Sequence, residues 1–144
     1  MLIRRANLND IPNIVHLEML VFHESLGESF LYDELSLNPF ARMYIIEDDK
    51  GFSGFIGLRV DDQADMMNFA IVPEKQRQGY GKKLLLYVLD ILKKEGIKQL
   101  TLEVRESNVG AQKLYESCGF KRSHTRKNYY KTEDAIVYMK EVSL

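Results

Sequence analysis

Hydrophobic residues recur along this chain with two periods. From residue 100 to 105 the period is two: Leu100, Leu102 and Val104 are apolar, Thr101, Glu103 and Arg105 polar. That is a strand with one buried face. From Leu84 to Leu92 the spacing is three or four, through Leu84, Leu85, Val88, Ile91 and Leu92. It marks an amphipathic helix over residues 79–95, ended by Gly96. The same rules predict a strand at Leu2–Arg5 and a helix to about Phe22, capped by Asn9 or Asp10 with Pro12 in its first turn. A short helix over 31–37 stops at Asn38-Pro39. Strands follow at 43–47 and 52–60, joined by the hairpin turn Asp48-Asp49-Lys50-Gly51, and a third at 65–72. After the long helix come the strand at 100–104, a helix over 108–118 closed by Gly119, and strands at 120–124 and Ala135–Glu141.

This order predicts an α/β (mixed α+β) fold with a central mixed, mostly antiparallel sheet of about seven strands and helices on both faces. No repeat, linker or low-complexity tract divides the 144 residues, so a single domain over 1–144 is expected.

Composition narrows the function classes. At 45% hydrophobic and 28% charged the chain reads as an ordinary globular protein. A formal net charge of −1 gives no overall attraction to nucleic acid or to a membrane surface, and neither is expected as a partner. No apolar run approaches the roughly 18 residues of a membrane span. The single cysteine, Cys118, excludes an internal disulfide and reads as a small buried hydrophobe. His16, His23 and His124 lack metal-ligand spacing, and no metal is expected. The start of the chain lacks a signal-peptide core, so a cytoplasmic location is expected.

The segment from Phe69 to Lys82 carries the first candidate chemistry. It reads as a buried strand, a turn ended by Pro73, and a glycine-bearing loop opening into the long helix. A helix start offers free N–H groups and a positive dipole end to an anion. Gly79 and Gly81 let a diphosphate approach the backbone, and Arg77 and Lys82 add charge. A dinucleotide fingerprint fails at Leu84; a P-loop fails at Gln76 and Lys83. The alternative is a Gly-rich turn with a basic helix start.

Glu103 has two readings: a carboxylate paired with Arg105 or another nearby cation, or a general base beside a cleft. Asn108 or Ser107 caps the following helix, and a cap amide can also reach a ligand at that helix start. Ala111, Leu114, Tyr115 and Cys118 share one helical face. Tyr115 is then a core aromatic, or an acid whose hydroxyl aims at the cleft. Arg126-Lys127-Asn128-Tyr129-Tyr130 lies between the last two strands, where a loop can fold over the site and its tyrosines sandwich a peptide.

The hexapeptide Gln76-Arg77-Gln78-Gly79-Tyr80-Gly81 resembles the [RQ]-x-x-G-x-[GA] signature of the GNAT N-acetyltransferases. Nearly the whole element order agrees with that family. Leu102-Glu103-Val104-Arg105-x-x-Asn108, Leu114-Tyr115-Glu116-Ser117-x-Gly119-Phe120 and the Arg126–Tyr130 block with Glu133-Asp134-Ala135 are similar to its ribosomal-protein alanine N-acetyltransferase branch. The resemblance implies acetyl-CoA as cosubstrate, gripped by Gln76, Arg77, Gln78, Gly79, Tyr80, Gly81 and Lys82. It implies acetyl-pantetheine contacts from Phe69, Ala70 and Ile71 and a further cosubstrate contact from Asn108. It implies Glu103 as base, Tyr115 as acid, and an acceptor held by Asn128, Tyr129 and Tyr130.

One stretch departs from the branch. Its members carry a proline- and tryptophan-rich loop after the first helix, where this chain has Phe22-His23-Glu24-Ser25-Leu26-Gly27-Glu28-Ser29 and no tryptophan. The expected acceptor is the α-amine of a ribosomal-protein N-terminus. The alternatives are a small-molecule amine or lysine side chain, and a non-catalytic coenzyme A-binding module.

Overall fold

The computed structural model describes residues 1–142. Seven strands form one sheet in the order β1-β2-β3-β4-β5-β7-β6. They are β1 Leu2–Arg5, β2 Ala41–Asp48, β3 Gly51–Val60, β4 Ala64–Ile71, β5 Gln99–Arg105, β6 Lys121–Arg126 and β7 Ala135–Glu141. The helices are α1 Ile11–Phe22, α2 Glu28–Leu37, α3 Tyr80–Lys94 and α4 Val109–Ser117. All neighbouring strands are antiparallel except β4 and β5. The parallel pair follows from its connection, because α3 carries the chain back across the sheet before β5 begins.

Two cores sit on the two faces. Leu84, Leu85, Val88 and Leu92 of α3 and Tyr115 of α4 pack with Ile56, Leu58, Leu100, Leu102 and Val104. Ile11, Ile14 and Leu17 of α1 and Leu31 of α2 pack with Met43, Ile45, Phe55 and Ala70 on the other face. Each buried Leu or Ile of these stripes contributes about 1.5–3 kcal/mol of apolar burial. Among the described residues no helix is long and apolar enough to cross a membrane.

The expected elements are present, with shifted ends. Helix α2 begins at Glu28, three residues before the predicted start; Leu31 is its fully buried residue, with Leu35 packed half-buried against the same core. Asn7 caps a 3-10 turn, Leu8–Asp10, in front of α1. Asp10 instead pairs with Arg4 at 2.8 Å, tying β1 to that turn. Strand β6 ends at Arg126 and is exposed along its length, so no apolar alternation marks its end.

Candidate active site

Strands β4 and β5 pair only at Ala64 with Leu100 and Asp65 with Thr101, then part. Beyond that point β4 bonds to β3 alone, and its other edge lines a gap. The expected cosubstrate contacts Phe69, Ala70 and Ile71 lie on this open edge, whose free backbone groups suit an extended ligand arm added like a strand. A bulge interrupts β4: Leu58 faces Met66 and Gly57 faces Asn68, leaving Met67 as the extra residue. The bulge switches the alternation, so Met66 and Ile71 share one face and Asn68 and Ala70 take the other.

The gap ends at the glycine-bearing loop, which leads from Pro73–Lys75 into α3. Gly79 caps α3 at φ +87° and Arg77 is held at φ +62°. Left-handed residues of this kind turn successive N–H groups toward one point, an arrangement that receives anions. Gln76 donates to the Ile71 carbonyl at 3.0 Å and Gln78 to the Glu74 carbonyl at 2.9 Å. Their side chains brace the loop. A side chain at Gly79 would stand in open space. Gly81 differs from the expected role: a Cβ there would touch Leu114, Phe69 and Ile71, so it faces the protein and seats α3 on β4.

A clamp sits behind the loop. Lys75 donates to Asp48 at 3.0 Å and to the buried Ser53 hydroxyl at 2.9 Å, while the Tyr80 hydroxyl donates to Asp48 at 2.8 Å. These bonds, Tyr80 first and Lys75 second, hold Asp48 down at about 2 against an ordinary 3.8. Tyr80 thus spends its hydroxyl on the protein. Lys75, Ser53 and Asp48 were not singled out from sequence, since their meeting depends on the β2–β3 hairpin folding behind α3.

Glu103 and Tyr115 approach the gap from its two faces. Leu102 and Val104 are buried with α3 and α4, which turns Glu103 to the α1 face. Its Oε1 accepts from Arg126 at 3.0 Å, and the side chain keeps 27% exposure. The expected partner Arg105 is taken by Glu133 at 3.4 Å, which also accepts from the Ser107 backbone and hydroxyl. Asp65, on the neighbouring strand, is pushed up by burial and by the charge of Glu103. Tyr115 is 6% exposed and points its hydroxyl at the Met66 sulfur, 3.8 Å away. Burial, with Tyr130 adding to it, pushes that phenol above its ordinary range and keeps it protonated.

The loop between β6 and β7 is held by charge and ring contacts. Tyr129 and Tyr130 meet edge to face at 5.1 Å. Arg126 lies over Tyr129 at 4.4 Å and Arg105 over Tyr130 at 4.1 Å. Arg126 therefore links Glu103 to this loop. Asn128 takes the left-handed turn position at φ +55°, its N–H donating to Asp134. Asn108 caps α4, accepting from the Ala111 N–H at 3.1 Å.

Residues 10–120 match the model of the acetyltransferase (GNAT) family. The chain belongs to the GNAT acetyltransferase family. Among curated relatives, the ribosomal protein bS18-alanine N-acetyltransferase of Escherichia coli (strain K12) is 35% identical over 148 residues, covering 94% of this chain and 93% of the relative. The crystal structure of the ribosomal-protein-S18-alanine N-acetyltransferase from Escherichia coli superposes with a TM-score of 0.91 at 32% identity, covering 99% of this chain and 94% of that one. Ard1 from Thermoplasma volcanium, at 22% identity and a TM-score of 0.87, covers 99% and 98% and shares the fold.

As a GNAT N-acetyltransferase the protein uses acetyl-CoA, which supplies an activated acetyl thioester. The residues present fit that group. Open space at Gly79 and the left-handed conformations of Arg77 and Gly79 suit a diphosphate, and Arg77 and Lys82 stand exposed on the same loop and helix start.

A further cluster on the α1 face was missed from sequence. Glu18 of α1, 3% exposed, accepts from the Ser25 hydroxyl at 2.8 Å and from Asn68 of β4 at 3.1 Å. A signal was available, because Glu18 falls four residues after Ile14 within the apolar stripe of α1.

Proposed function

We propose that this enzyme moves acetyl from acetyl-CoA to the N-terminal α-amine of a ribosomal protein beginning with alanine, by direct transfer in a ternary complex in the cytoplasm. The arrangement of Glu103 and Tyr115 on the two faces of the β4–β5 gap carries the proposal. An amine entering from the α1 face meets the Glu103 carboxylate, whose Oε2 takes no hydrogen bond from a described residue. Glu103 removes the amine proton as nitrogen attacks the acetyl carbon. Backbone N–H groups on the open edge of β4 receive the carbonyl oxygen as it gains charge. Tyr115 gives its proton to the departing sulfur and is later recharged from solvent. Asn108 and the loop from Gln76 to Lys82 hold the nucleotide end; Asn128, Tyr129 and Tyr130 wall the acceptor.

Amine chemistry supports an α-amine acceptor. An α-amine near 8 is about 2.4 units easier to deprotonate than a lysine near 10.4, worth about 3.3 kcal/mol at fixed pH. The names of the Escherichia coli relatives support alanine on a ribosomal protein. The test is reaction with a peptide library of free N-termini, read by mass spectrometry. Enrichment of acetylated alanine-first peptides supports the proposal, and acetylation confined to lysine side chains overturns it.

A further inference from the structure

We propose that helix α2 is a docking surface for the basic body of the acceptor protein, apart from the N-terminus that reacts, an inference resting on the ribosomal-protein acceptor proposed above. Between residues 6 and 41 the chain carries Asp10, Glu18, Glu24, Glu28, Asp33 and Glu34 and not one Lys or Arg. Asp10 is paired with Arg4, Glu34 with Arg59, and Glu18 is buried. Glu24, Glu28 and Asp33 stand exposed, with no ion-pair partner among the described residues. Their charge is presented to solvent.

The outward side of α2 is apolar where an ordinary surface helix is polar. Leu31 and Leu35 turn to the core, while Phe30, Tyr32 and Leu37 stay exposed, Tyr32 at 53% and Leu37 at 74%. Phe30, Asp33 and Leu37 share one face at helical spacing. Two grooves border the helix. One, of about 580 Å³, sets Leu8, Ile11, Pro12 and Tyr32 beside Glu28 and Asp33. The other, of about 490 Å³, sets Phe30, Leu37 and Phe40 beside Asp33 and Glu34. Each joins apolar walls to carboxylates, and Asp33 serves both. Exposed apolar surface rimmed by polar groups marks a protein interface.

The partner that fits has apolar side chains for the grooves and Lys or Arg for the carboxylates. A protein that lives on RNA phosphates is rich in those cations, and complementary charge steers it to this face. Nucleic acid itself is repelled by the same acids. A second copy of this chain, joined about a twofold axis, would set Glu28 and Asp33 against their own copies. Position supports the same partner. The Phe40 carbonyl accepts from the Val60 N–H at 2.8 Å, Val60 pairs with Ala64, and Ala64 lies beside Leu100. That is the closed end of the β4–β5 gap. The glycine-bearing loop follows Ile71 at the other end, so a protein held at Phe40 leaves the nucleotide end of acetyl-CoA free.

The experiment compares ribosomal protein bS18 carrying a free N-terminal alanine with a short peptide copying its first residues, using wild type, Asp33→Lys and Tyr32→Ala. Wild type should prefer the protein in kcat/KM, and raised salt should shrink that preference. Asp33→Lys should lower kcat/KM for the protein about tenfold, through KM, and leave the peptide unchanged. Tyr32→Ala should also weaken the protein alone, with little dependence on salt. Circular dichroism checks folding, and Asp33→Asn carries the charge test should Asp33→Lys not fold. Wild type without preference for the protein, or folded variants that treat it as wild type does, overturns the inference alone. A dimer seen by light scattering and dispersed by Tyr32→Ala also overturns it, giving the face to a second copy. Transfer to lysine, with none to the α-amine of protein or peptide, overturns the proposed function and this inference with it.

Discussion

Glu103 and Arg126 are joined at 3.0 Å, so the proposed base is tethered to the loop that carries Tyr129 and Tyr130. The pair is partly exposed, which limits its stabilising effect to about 0–1 kcal/mol. Its consequence is orientation. Arg126 occupies Oε1 and leaves Oε2 for the amine. Glu103→Gln should lower turnover about 10²-fold, the scale of a lost general base, while calorimetry finds acetyl-CoA binding intact. Near-wild-type turnover would leave Glu103 as an ion-pair partner only.

Tyr115 gives a pH prediction with a definite sign. Burial raises the phenol, so its protonated, donor form persists as pH rises through the ordinary value near 10. The kcat profile should show no alkaline decline from Tyr115 below about pH 10. Tyr115→Phe should slow turnover, and least for acetyl thioesters with more acidic thiol leaving groups. A variant equally slow with every leaving group would reduce Tyr115 to packing against Phe69, Phe120 and Tyr138.

The two glycines of the loop should separate. Gly79→Val puts a branched side chain at φ +87° into the space proposed for the diphosphate. Acetyl-CoA affinity should fall about tenfold or more, since a β-branched residue at positive φ is also strained. Gly81→Ala meets its neighbours at 3.5–3.6 Å, an ordinary contact, and should bind acetyl-CoA nearly as wild type does. Calorimetric titration of both variants checks the contrast.

Much of this site was legible because its signals are local. The alternation of Leu100, Leu102 and Val104 turned Glu103 out of the core, and the stripe of α3 fixed where the loop must open. Asn108 announced a cap by residue type. What escaped depends on chain segments far apart. The bulge at Met67 exists only against β3, and the partner of Glu103 is 23 residues away because β6 and β7 bring Arg126 to it. Gly57 gave no sign of its purpose until Asn68 was seen above it.

The Asp48 clamp links loop order to acid. Asp48 is lowered in the folded protein, so its contribution is complete above the unfolded value of 3.8 and is lost as pH falls through it toward about 2. Asp48→Asn should weaken acetyl-CoA binding at neutral pH, because Lys75 loses its counter-charge and Tyr80 a strong acceptor. Wild-type affinity in that variant would show that the loop keeps its shape without the clamp.

The most direct measurement uses one peptide carrying both an N-terminal alanine and an internal lysine, compared with its N-terminally blocked twin. Acetyl transfer from acetyl-CoA is followed by mass spectrometry with fragment assignment. The free peptide should be labelled on its α-amine and the blocked twin far more slowly. Equal rates for the two, or labelling chiefly on lysine, would contradict an α-amine acceptor.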